Sequence, residues 1–295
     1  MKTVVRAFSL KAHAKLNLRL EVGPIVGPLH QVVSVVAALD LADELHFSPS
    51  PPGLQIVCQG LDLDERDNLV WRAVRALDRE PPDVRITIEK RIPTQAGLGG
   101  GSADAAAALL GVGTIFAYNG VAVARERIEH AALRTGSDVP ALLVPGLRIV
   151  SGVGDVVARR SCSAPPWGVV LVRPDAVSPT NRAYELLDAA AIPHSLGSTA
   201  LDSAEAMCAA FARADLEGVL SLLHNDFTDV IERELRSVAF ARARLRAAGA
   251  AGTIVCGSGS CIAGLFESQD RAHAALGRMT LAKGEWACVT GFCGD

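Results

Sequence analysis

A glycine-rich segment, Gly97-Leu98-Gly99-Gly100-Gly101-Ser102-Ala103-Asp104, lies between a predicted strand and a predicted Ala-rich helix. Consecutive glycines let a backbone approach a ligand closely and adopt positive φ. Their N–H groups can converge on phosphate oxygens, and the N-terminus of the following helix adds a favourable dipole. Ser102 could cap that helix, or contact a phosphate or a metal. The pattern therefore favours a phosphate-binding loop from Pro93 to Asp104 over a purely structural turn.

Two charged residues elsewhere are ambiguous when each is taken alone. Lys15 stands in an apolar predicted strand, Ala14-Lys15-Leu16-Asn17-Leu18, where a lysine either extends to solvent or points into a site. Asp138 lies in Gly136-Ser137-Asp138-Val139-Pro140, where it is most simply a turn or helix-end residue. Neither residue by itself identifies a catalytic site.

The composition is that of a globular protein with nearly balanced charge. Hydrophobic residues make up 49 % of the 295 residues, and 29 basic against 32 acidic residues give a net charge of -3. Because the chain contains no long basic run, we expect no binding to nucleic acid or to an anionic membrane. An anionic ligand must then be held by local geometry rather than by bulk charge.

Two apolar features have structural explanations. The seven cysteines lie mostly in apolar stretches, which is typical of reduced, buried thiols in a cytoplasmic protein. A metal site built from the pairs Cys256/Cys261 and Cys288/Cys293 is disfavoured, because no histidine stands beside them.

Residues 105–124 carry no charge and are long enough to span a bilayer. The turn signal Asn119-Gly120 favours a buried helix that ends in a loop.

Hydrophobic periodicity predicts a mixture of strands and helices. The predicted strands lie near Lys15 and in 31–47 (with a turn around 40–43), 54–58, 84–90, 167–172, 253–256, 261–266 and 286–292. The predicted helices cover 68–77, a stretch from about Ser102, 123–134, 180–190, several parts of 202–248, and 270–279. Together they indicate an α+β fold. Ala164-Pro165-Pro166 resembles a linker, so we predict domains at 1–163 and 164–295.

Three separated segments together resemble the GHMP family of small-molecule kinases. They are Ala14–Leu18, Pro93–Asp104 and the late glycine turn Cys256-Gly257-Ser258-Gly259-Ser260-Cys261. Gly-Ser-Asp-Val-Pro at 136–140 and Asp67-Asn68-Leu69-Val70 add to the resemblance, which spans nearly the whole chain. It implies a two-domain sandwich, with an ATP-binding N-terminal domain, a ferredoxin-like C-terminal domain and an active site in the interdomain cleft.

The resemblance also implies the residues that carry out phosphoryl transfer. Asp138 would accept the proton of a substrate hydroxyl, and Lys15 would steer Asp138 and stabilise developing charge. Positioning and charge stabilisation supply most of the catalysis in this reaction, so one base and one cation suffice. ATP would carry Mg²⁺ on its phosphates, with no protein ligand assigned to the metal. The implied ATP-binding residues are Asn68, Lys90, Pro93, Gly97, Leu98, Gly99, Gly100, Gly101 and Ser102.

The implied substrate is a small alcohol that bears cytidine. Asn17 would contact its reacting end, and Thr180 would lie near it. His30 would hydrogen-bond the cytosine edge, with Tyr184 as an aromatic beside that ring. The family usually has Asp-Gly-Tyr-His before the second strand, and its Tyr stacks on cytosine; here the segment is Gly27-Pro28-Leu29-His30, with Leu29 at the Tyr position.

Two other functions remain open from the sequence. One is a GHMP kinase that acts on homoserine, mevalonate or a sugar. The other is a nucleotide-binding protein of this fold without catalysis, which the presence of both Lys15 and Asp138 disfavours. In each case the partners are small molecules, with no nucleic acid and no membrane, and the protein is a monomer or a homodimer.

Overall fold

The computed structural model of the chain describes residues 3–50, 52–59, 65–190, 196–197 and 199–294. The chain forms two compact units that alternate along the sequence. Unit 1 comprises Met1–Ala14, Leu41–Ile92 and Gly99–Val144, and unit 2 comprises Lys15–Asp40, Pro93–Leu98 and Pro145–Asp295. The domain boundary at residues 163 and 164 stays a prediction, because packing units and family domains divide a chain by different criteria.

The described residues confirm the predicted α+β class. The strands are β1 (Phe8–Val26), β2 (Leu29–Pro49), β3 (Leu54–Cys58), β4 (Val84–Glu89), β5 (Leu147–Ser151), β6 (Val156–Arg160), β7 (Gly168–Arg173), β8 (His224–Asn225), β9 (Gly252–Val255), β10 (Ile262–Phe266) and β11 (Trp286–Thr290). The helices are α1 (Leu69–Arg75), α2 (Gly100–Tyr118), α3 (Arg125–Thr135), α4 (Thr180–Ala189), α5 (Ala200–Ala212), α6 (Leu216–Leu222), α7 (Phe227–Glu234), α8 (Arg236–Ala247) and α9 (Gln269–Arg278).

In unit 1, three helices pack on one face of a small sheet. Strand β4 pairs antiparallel with the end of β2 and parallel with β3. Its alternation of apolar and polar residues buries Val84, Ile86 and Ile88 and leaves the other face polar. Helix α2 fits closely because it is built from small residues: a Cβ added to Gly111 would lie 2.2 Å from the Phe47 ring.

Helix α2 is the one helix among the described residues that is long and apolar enough to cross a membrane. However, 67 % of its apolar stretch is buried inside the protein, as expected for a core helix. Ala105, Ala106 and Leu109 are fully buried, and the helix ends at Tyr118 before the Asn119-Gly120 turn. The prediction of a buried helix is confirmed.

Unit 2 contains an antiparallel sheet in the order β11-β7-β10-β9. Buried residues of β7 and β10 form a core with α4, α7, α8 and α9, in which Phe227 and Leu245 are among the largest members. In the same unit, β8 pairs in parallel with β1, and β5 pairs with the first half of β2. The predicted strand-turn-strand-helix-strand ending is confirmed by β9, β10, α9 and β11.

Two local predictions were wrong, and three strands were missed. No turn interrupts β2 around residues 40–43, because the buried Asp43 accepts hydrogen bonds from the backbone N–H groups of Arg91 and Ile92 and stays in the strand. Strands β5, β6 and β8 were not predicted. Ser102 does not cap α2: Gly99 is the N-cap residue, with a φ of +70°, and Ser102 lies within the first turn.

Candidate functional site

Lys15 lies on β1 with only 5 % of its surface exposed, so the alternative in which it extends to solvent is wrong. Its Nζ donates a hydrogen bond to Asn17 Oδ1 at 2.5 Å. The Asn17 amide nitrogen donates to Ser34 Oγ at 2.8 Å, and that hydroxyl donates to the Arg19 carbonyl oxygen at 2.7 Å. The three consecutive bonds fix the orientation of the Asn17 amide and hold the ammonium group in place.

The late glycine turn lies against this ammonium group in unit 2. Gly257 has a φ of +52°, and a Cβ added there would lie 3.0 Å from Lys15 Nζ and 3.0 Å from the Gly97 carbonyl oxygen. The turn is anchored by Asn225, whose amide nitrogen donates to the Gly257 carbonyl oxygen at 2.8 Å. A glycine at position 257 therefore leaves space for the Lys15 ammonium group.

The first half of the glycine-rich segment packs against the same turn. Gly97 has a φ of +74°, and a Cβ added there would lie 1.8 Å from the Cys256 carbonyl oxygen. The backbone N–H of Lys15 donates to the Leu98 carbonyl oxygen at 3.0 Å. Gly97 and Leu98 are thus held by other parts of unit 2.

The second half of the segment forms the start of α2 and is exposed at Gly101. Gly99 caps α2 with positive φ, and Gly100 and Gly101 form the start of the helix. The first backbone bond of the helix runs from Ala103 N–H to the Gly99 carbonyl oxygen at 2.8 Å, so the N–H groups of residues 100–102 precede the helical ladder. Gly101 is exposed, and these N–H groups with the helix dipole form a favourable site for an anion.

Lys90 is held by two buried carboxylates in unit 1. Its Nζ pairs with Asp43 Oδ2 in a short contact and with Asp104 Oδ2 at 2.7 Å. Burial lowers the pKa of Lys90, but the charges of Asp104 and Asp43 outweigh it and raise that pKa above its usual value. Burial raises the pKa of Asp104 to about 7, although the Lys90 charge opposes the rise.

Two other residues predicted to bind ATP have local structural contacts. Asn68 caps α1, and its side-chain oxygen accepts a hydrogen bond from the Val70 N–H at 2.9 Å. Its amide nitrogen is the group that it can offer to a ligand. Pro93 is half-buried at the start of the phosphate-binding loop.

Asp138 is exposed in the turn that follows α3. The helix ends at Thr135, and the Gly136 N–H closes its last turn on the Ala132 carbonyl oxygen at 3.2 Å, so Gly136 breaks the helix as predicted. Asp138 belongs to unit 1 and Lys15 to unit 2. Their role as a catalytic pair stays a prediction.

The residues predicted to recognise cytosine contact one another in unit 2. The His30 ring stacks on the Tyr184 ring, with centroids 4.9 Å apart and an interplanar angle of 20°. His30 Nδ1 lies 3.0 Å from the Gly23 carbonyl oxygen, so this nitrogen carries a proton and donates it. His30 Nε2 lies 3.3 Å from Asp188 Oδ1, and the His30 side chain is 9 % exposed. Leu29 is 48 % exposed.

Thr180 begins α4 and lies beside the late glycine turn. Its Oγ1 is 3.1 Å from Ser258 Oγ, and Ser178 Oγ donates to the Ser258 carbonyl oxygen at 2.7 Å. The structure therefore brings Thr180 to the same turn that contacts Lys15 through Gly257.

A possible metal-binding cluster lies elsewhere in unit 1. Within the described ranges, the one group of potential ligands is Glu44, His46 and Glu89, whose ligand atoms lie within 4.8 Å of one another. Arg91 Nη2 lies 3.4 Å from Glu44 Oε2 and 3.9 Å from Glu89 Oε2. Because this guanidinium already neutralises both carboxylates, a metal ion would have to displace it.

Sequence reasoning missed four residues that support the candidate site. Ser34 contacts Asn17, and Asp188 contacts His30. Asp43 and Asp104 both contact Lys90. Asp43 and Asp104 carried a usable signal, because each is an acidic residue in an apolar stretch where a charge requires a partner. Ser34 and Asp188 carried no signal, since their partners are distant in sequence.

Matches to both of its domains show that the chain belongs to the GHMP kinase family. Residues 68–146 match the GHMP kinases N terminal domain, and residues 207–284 match the GHMP kinases C terminal domain.

Relatives with one particular name match almost the whole chain. The 4-diphosphocytidyl-2-C-methyl-D-erythritol kinase of Moorella thermoacetica is 34 % identical over 92 % of this chain and 94 % of that protein. The enzyme of the same name from Citrifermentans bemidjiense is 33 % identical over 97 % and 99 %. A crystal structure of 4-(cytidine 5'-diphospho)-2C-methyl-D-erythritol kinase has a TM-score of 0.77 at 30 % identity, over 96 % of this chain and 99 % of that chain.

Proposed function

We propose that this protein transfers the γ-phosphate of ATP to the 2-hydroxyl of 4-diphosphocytidyl-2-C-methyl-D-erythritol, a step in the formation of isoprenoid precursors by the non-mevalonate pathway. The relatives named for this reaction cover almost the whole chain, which supports the choice of substrate. The observation in the molecule that carries the proposal is the glycine start of α2, exposed at Gly101, where the N–H groups of residues 100–102 precede the helical ladder.

ATP binding is assigned to this helix start and to residues around it. The phosphates would lie on the N–H groups of residues 100–102, where exposed Gly101 offers no side chain to block them. Asn68 would contact the adenosine through its amide nitrogen. The two carboxylates beside the loop, Asp43 and Asp104, are both paired with Lys90, so they do not suit Mg²⁺. We therefore assign the metal no protein ligand, and it would arrive on ATP.

The transfer step is assigned to Lys15, Asn17 and Asp138. Asp138 is exposed and can accept the proton of the substrate hydroxyl as a general base. Lys15 is buried and held through Asn17, so it offers a fixed positive charge to the negative charge that develops during transfer. Asn17 would contact the reacting end of the substrate, with Thr180 near it.

Cytosine recognition is assigned to His30, Tyr184 and Leu29. With the Nδ1 proton donated to the Gly23 carbonyl oxygen, His30 would meet the cytosine edge through Nε2, which a bound base would take from Asp188 Oδ1, 3.3 Å away. Cytosine presents an amino group on that edge where uracil presents an oxygen, so a polar contact there distinguishes the two bases. Tyr184 holds the His30 ring by stacking, and the exposed Leu29 would cover the base by apolar contact.

A substrate panel tests the proposal. Initial rates with saturating ATP would be measured for the cytidine substrate, its uridine analogue, and methylerythritol phosphate without a nucleotide. Since a site that hydrogen-bonds a substrate rejects analogues that leave its polar groups unpaired, we expect the cytidine substrate to have the highest kcat/KM. Homoserine, mevalonate and galactose test the alternative acceptors of the family.

Two outcomes would overturn the specific assignment. Equal rates with and without the nucleotide would show that the protein does not recognise cytidine. A preference for another acceptor would identify a different substrate. ATP hydrolysis or binding without transfer to any acceptor would favour a protein that binds nucleotide without catalysis.

A further inference from the structure

The buried carboxylates around Lys90 join the two ends of the phosphate-binding loop, Pro93–Asp104. Asp43 accepts hydrogen bonds from the backbone N–H groups of Arg91 at 2.5 Å and Ile92 at 2.8 Å, where the chain enters the loop. Asp104 lies on the first turns of α2, where the chain leaves it. Lys90 pairs with both carboxylates, so one ammonium group ties the entrance of the loop to its exit.

Burial makes these contacts sensitive to the presence of the ammonium group. The Asp43 side chain is fully buried and that of Asp104 is 5 % exposed. Asp104 Oδ1 is buried and has no hydrogen-bond partner among the described residues. Asp104 is therefore held through its other oxygen, which pairs with Lys90. A buried carboxylate that loses its cation is strongly disfavoured, so the start of α2 depends on Lys90.

The glycine at position 100 brings the ammonium group close to the loop backbone. A Cβ added to Gly100 would lie 3.3 Å from Lys90 Nζ and 3.0 Å from Ile92 Cγ2. Glycine there lets the charged group and Ile92, in the segment that follows β4, pack against the first residue of α2. The same packing limits the conformations available to the loop between Ile92 and Gly99.

We propose that Lys90 is a positioning residue that fixes the shape of the phosphate-binding loop, through Asp43 at the loop entrance and Asp104 at its exit. The proposal rests on the proposed function only for the identity of the ligand, ATP. It differs from the role that the family resemblance implies for Lys90, which is a direct contribution to the adenosine pocket. The loop would be ordered before the nucleotide binds, which lowers the entropic cost of binding.

Hydrogen exchange in the nucleotide-free protein distinguishes positioning from direct contact. Exchange of the backbone N–H groups of residues 94–102 would be measured by mass spectrometry in wild type, Lys90→Met, Asp104→Asn and the double variant. ATP affinity would be measured by calorimetry on the same proteins. Arg242→Met is the matched control, because Arg242 forms a half-buried ion pair with Glu232 at 3.0 Å in unit 2.

We expect Lys90→Met to speed loop exchange by about tenfold and to weaken ATP binding by about tenfold. Asp104→Asn should change both quantities in the same direction by about threefold. The double variant should be no worse than Lys90→Met, because residues that act through one contact have non-additive effects. It also carries one buried negative charge fewer than Lys90→Met and should fold more readily, with Asp43 still held by the N–H groups of Arg91 and Ile92. Arg242→Met should leave loop exchange unchanged.

Two results would overturn the proposal. Loss of ATP affinity in Lys90→Met with wild-type loop exchange would mean that Lys90 contacts the nucleotide directly. Faster loop exchange in Arg242→Met as well would mean that any loss of stability loosens the loop. If the wild type binds no ATP while Lys90→Met still speeds loop exchange, the proposed function fails and the positioning role of Lys90 stands.

Discussion

The two halves of the glycine-rich segment contain the same residue type for different reasons. Gly97 belongs to unit 2 and is packed so tightly that any Cβ would collide with the Cys256 carbonyl oxygen. Gly101 belongs to unit 1 and is exposed, and a Cβ added there would lie 3.5 Å from its nearest neighbour, Leu69 Cδ1. Glycine at 97 serves the packing of the protein, whereas glycine at 101 keeps the start of α2 accessible. Substitutions in the first half should therefore affect stability, and those in the second half should affect ligand binding.

The largest expected effect follows from Gly97→Ala. A Cβ at 1.8 Å from a backbone oxygen, together with a φ of +74°, cannot be accommodated without moving the late glycine turn. We expect a loss of about 4 kcal/mol or more in unfolding free energy, or failure to fold. Gly101→Ala is the matched control and should change stability by less than about 1 kcal/mol. Denaturant unfolding of both variants measures the contrast, and equal losses would contradict it.

The second prediction concerns the exposed base. Asp138→Asn keeps the shape of the side chain and removes its charge, so turnover should fall by about 10²–10⁴-fold. Because Asp138 is exposed, the melting temperature and ATP affinity should stay near those of the wild type. Rates and melting curves measured together check this. Near wild-type turnover would remove Asp138 from the mechanism.

The third prediction uses the pH dependence of stability. Burial raises the pKa of Asp104 to about 7 from a usual value of 3.8, so between these pH values the folded protein holds more protons than the unfolded chain. This group therefore lowers the unfolding free energy as pH rises through that window, by about 1–3 kcal/mol. Asp104→Asn removes this pH dependence.

The test compares wild type and Asp104→Asn by urea unfolding at about pH 4.5 and about pH 7.5. The variant should gain stability relative to the wild type at the higher pH. A constant difference between the two proteins would mean that Asp104 does not titrate in this range, and that Lys90 fully offsets the cost of its burial.

The smallest expected effect comes from the turn that contacts Lys15. Gly257→Ala places a Cβ 3.0 Å from Lys15 Nζ, so the ammonium group must shift and kcat should fall by about tenfold. Gly120→Ala is the control, because Gly120 also has positive φ, at +72°, but no neighbouring atom of the described residues lies within 4 Å of an added Cβ. Both variants should lose about 1 kcal/mol of stability from the strained φ, and Gly257→Ala should lose more because its Cβ also meets the Gly97 carbonyl oxygen at 3.0 Å. An equal kcat in both variants would show that the position of the Lys15 ammonium group does not affect catalysis.

The sequence predicted the elements with strong periodicity and the segments with distinctive residues. Strand β4, helix α2 and the β9-to-β11 ending were predicted nearly to their ends, because their patterns are local. The Lys90 contacts could not be predicted, since Asp43 and Lys90 meet only when β2 pairs with β4. The capping of α2 was misassigned to Ser102, because a glycine N-cap in a run of glycines leaves no side-chain signal.

The central claim is that the start of α2, exposed at Gly101, binds the phosphates of ATP, and one titration tests it most directly. Gly101→Val adds a branched side chain at an exposed position where a Cβ meets only ordinary contact, so the protein should fold normally. We predict that calorimetry will show ATP affinity weakened by about tenfold or more, because the side chain blocks the approach of phosphate to the N–H groups. Unchanged ATP affinity in the folded variant would contradict the claim and leave the second half of the segment, like the first, as a structural turn.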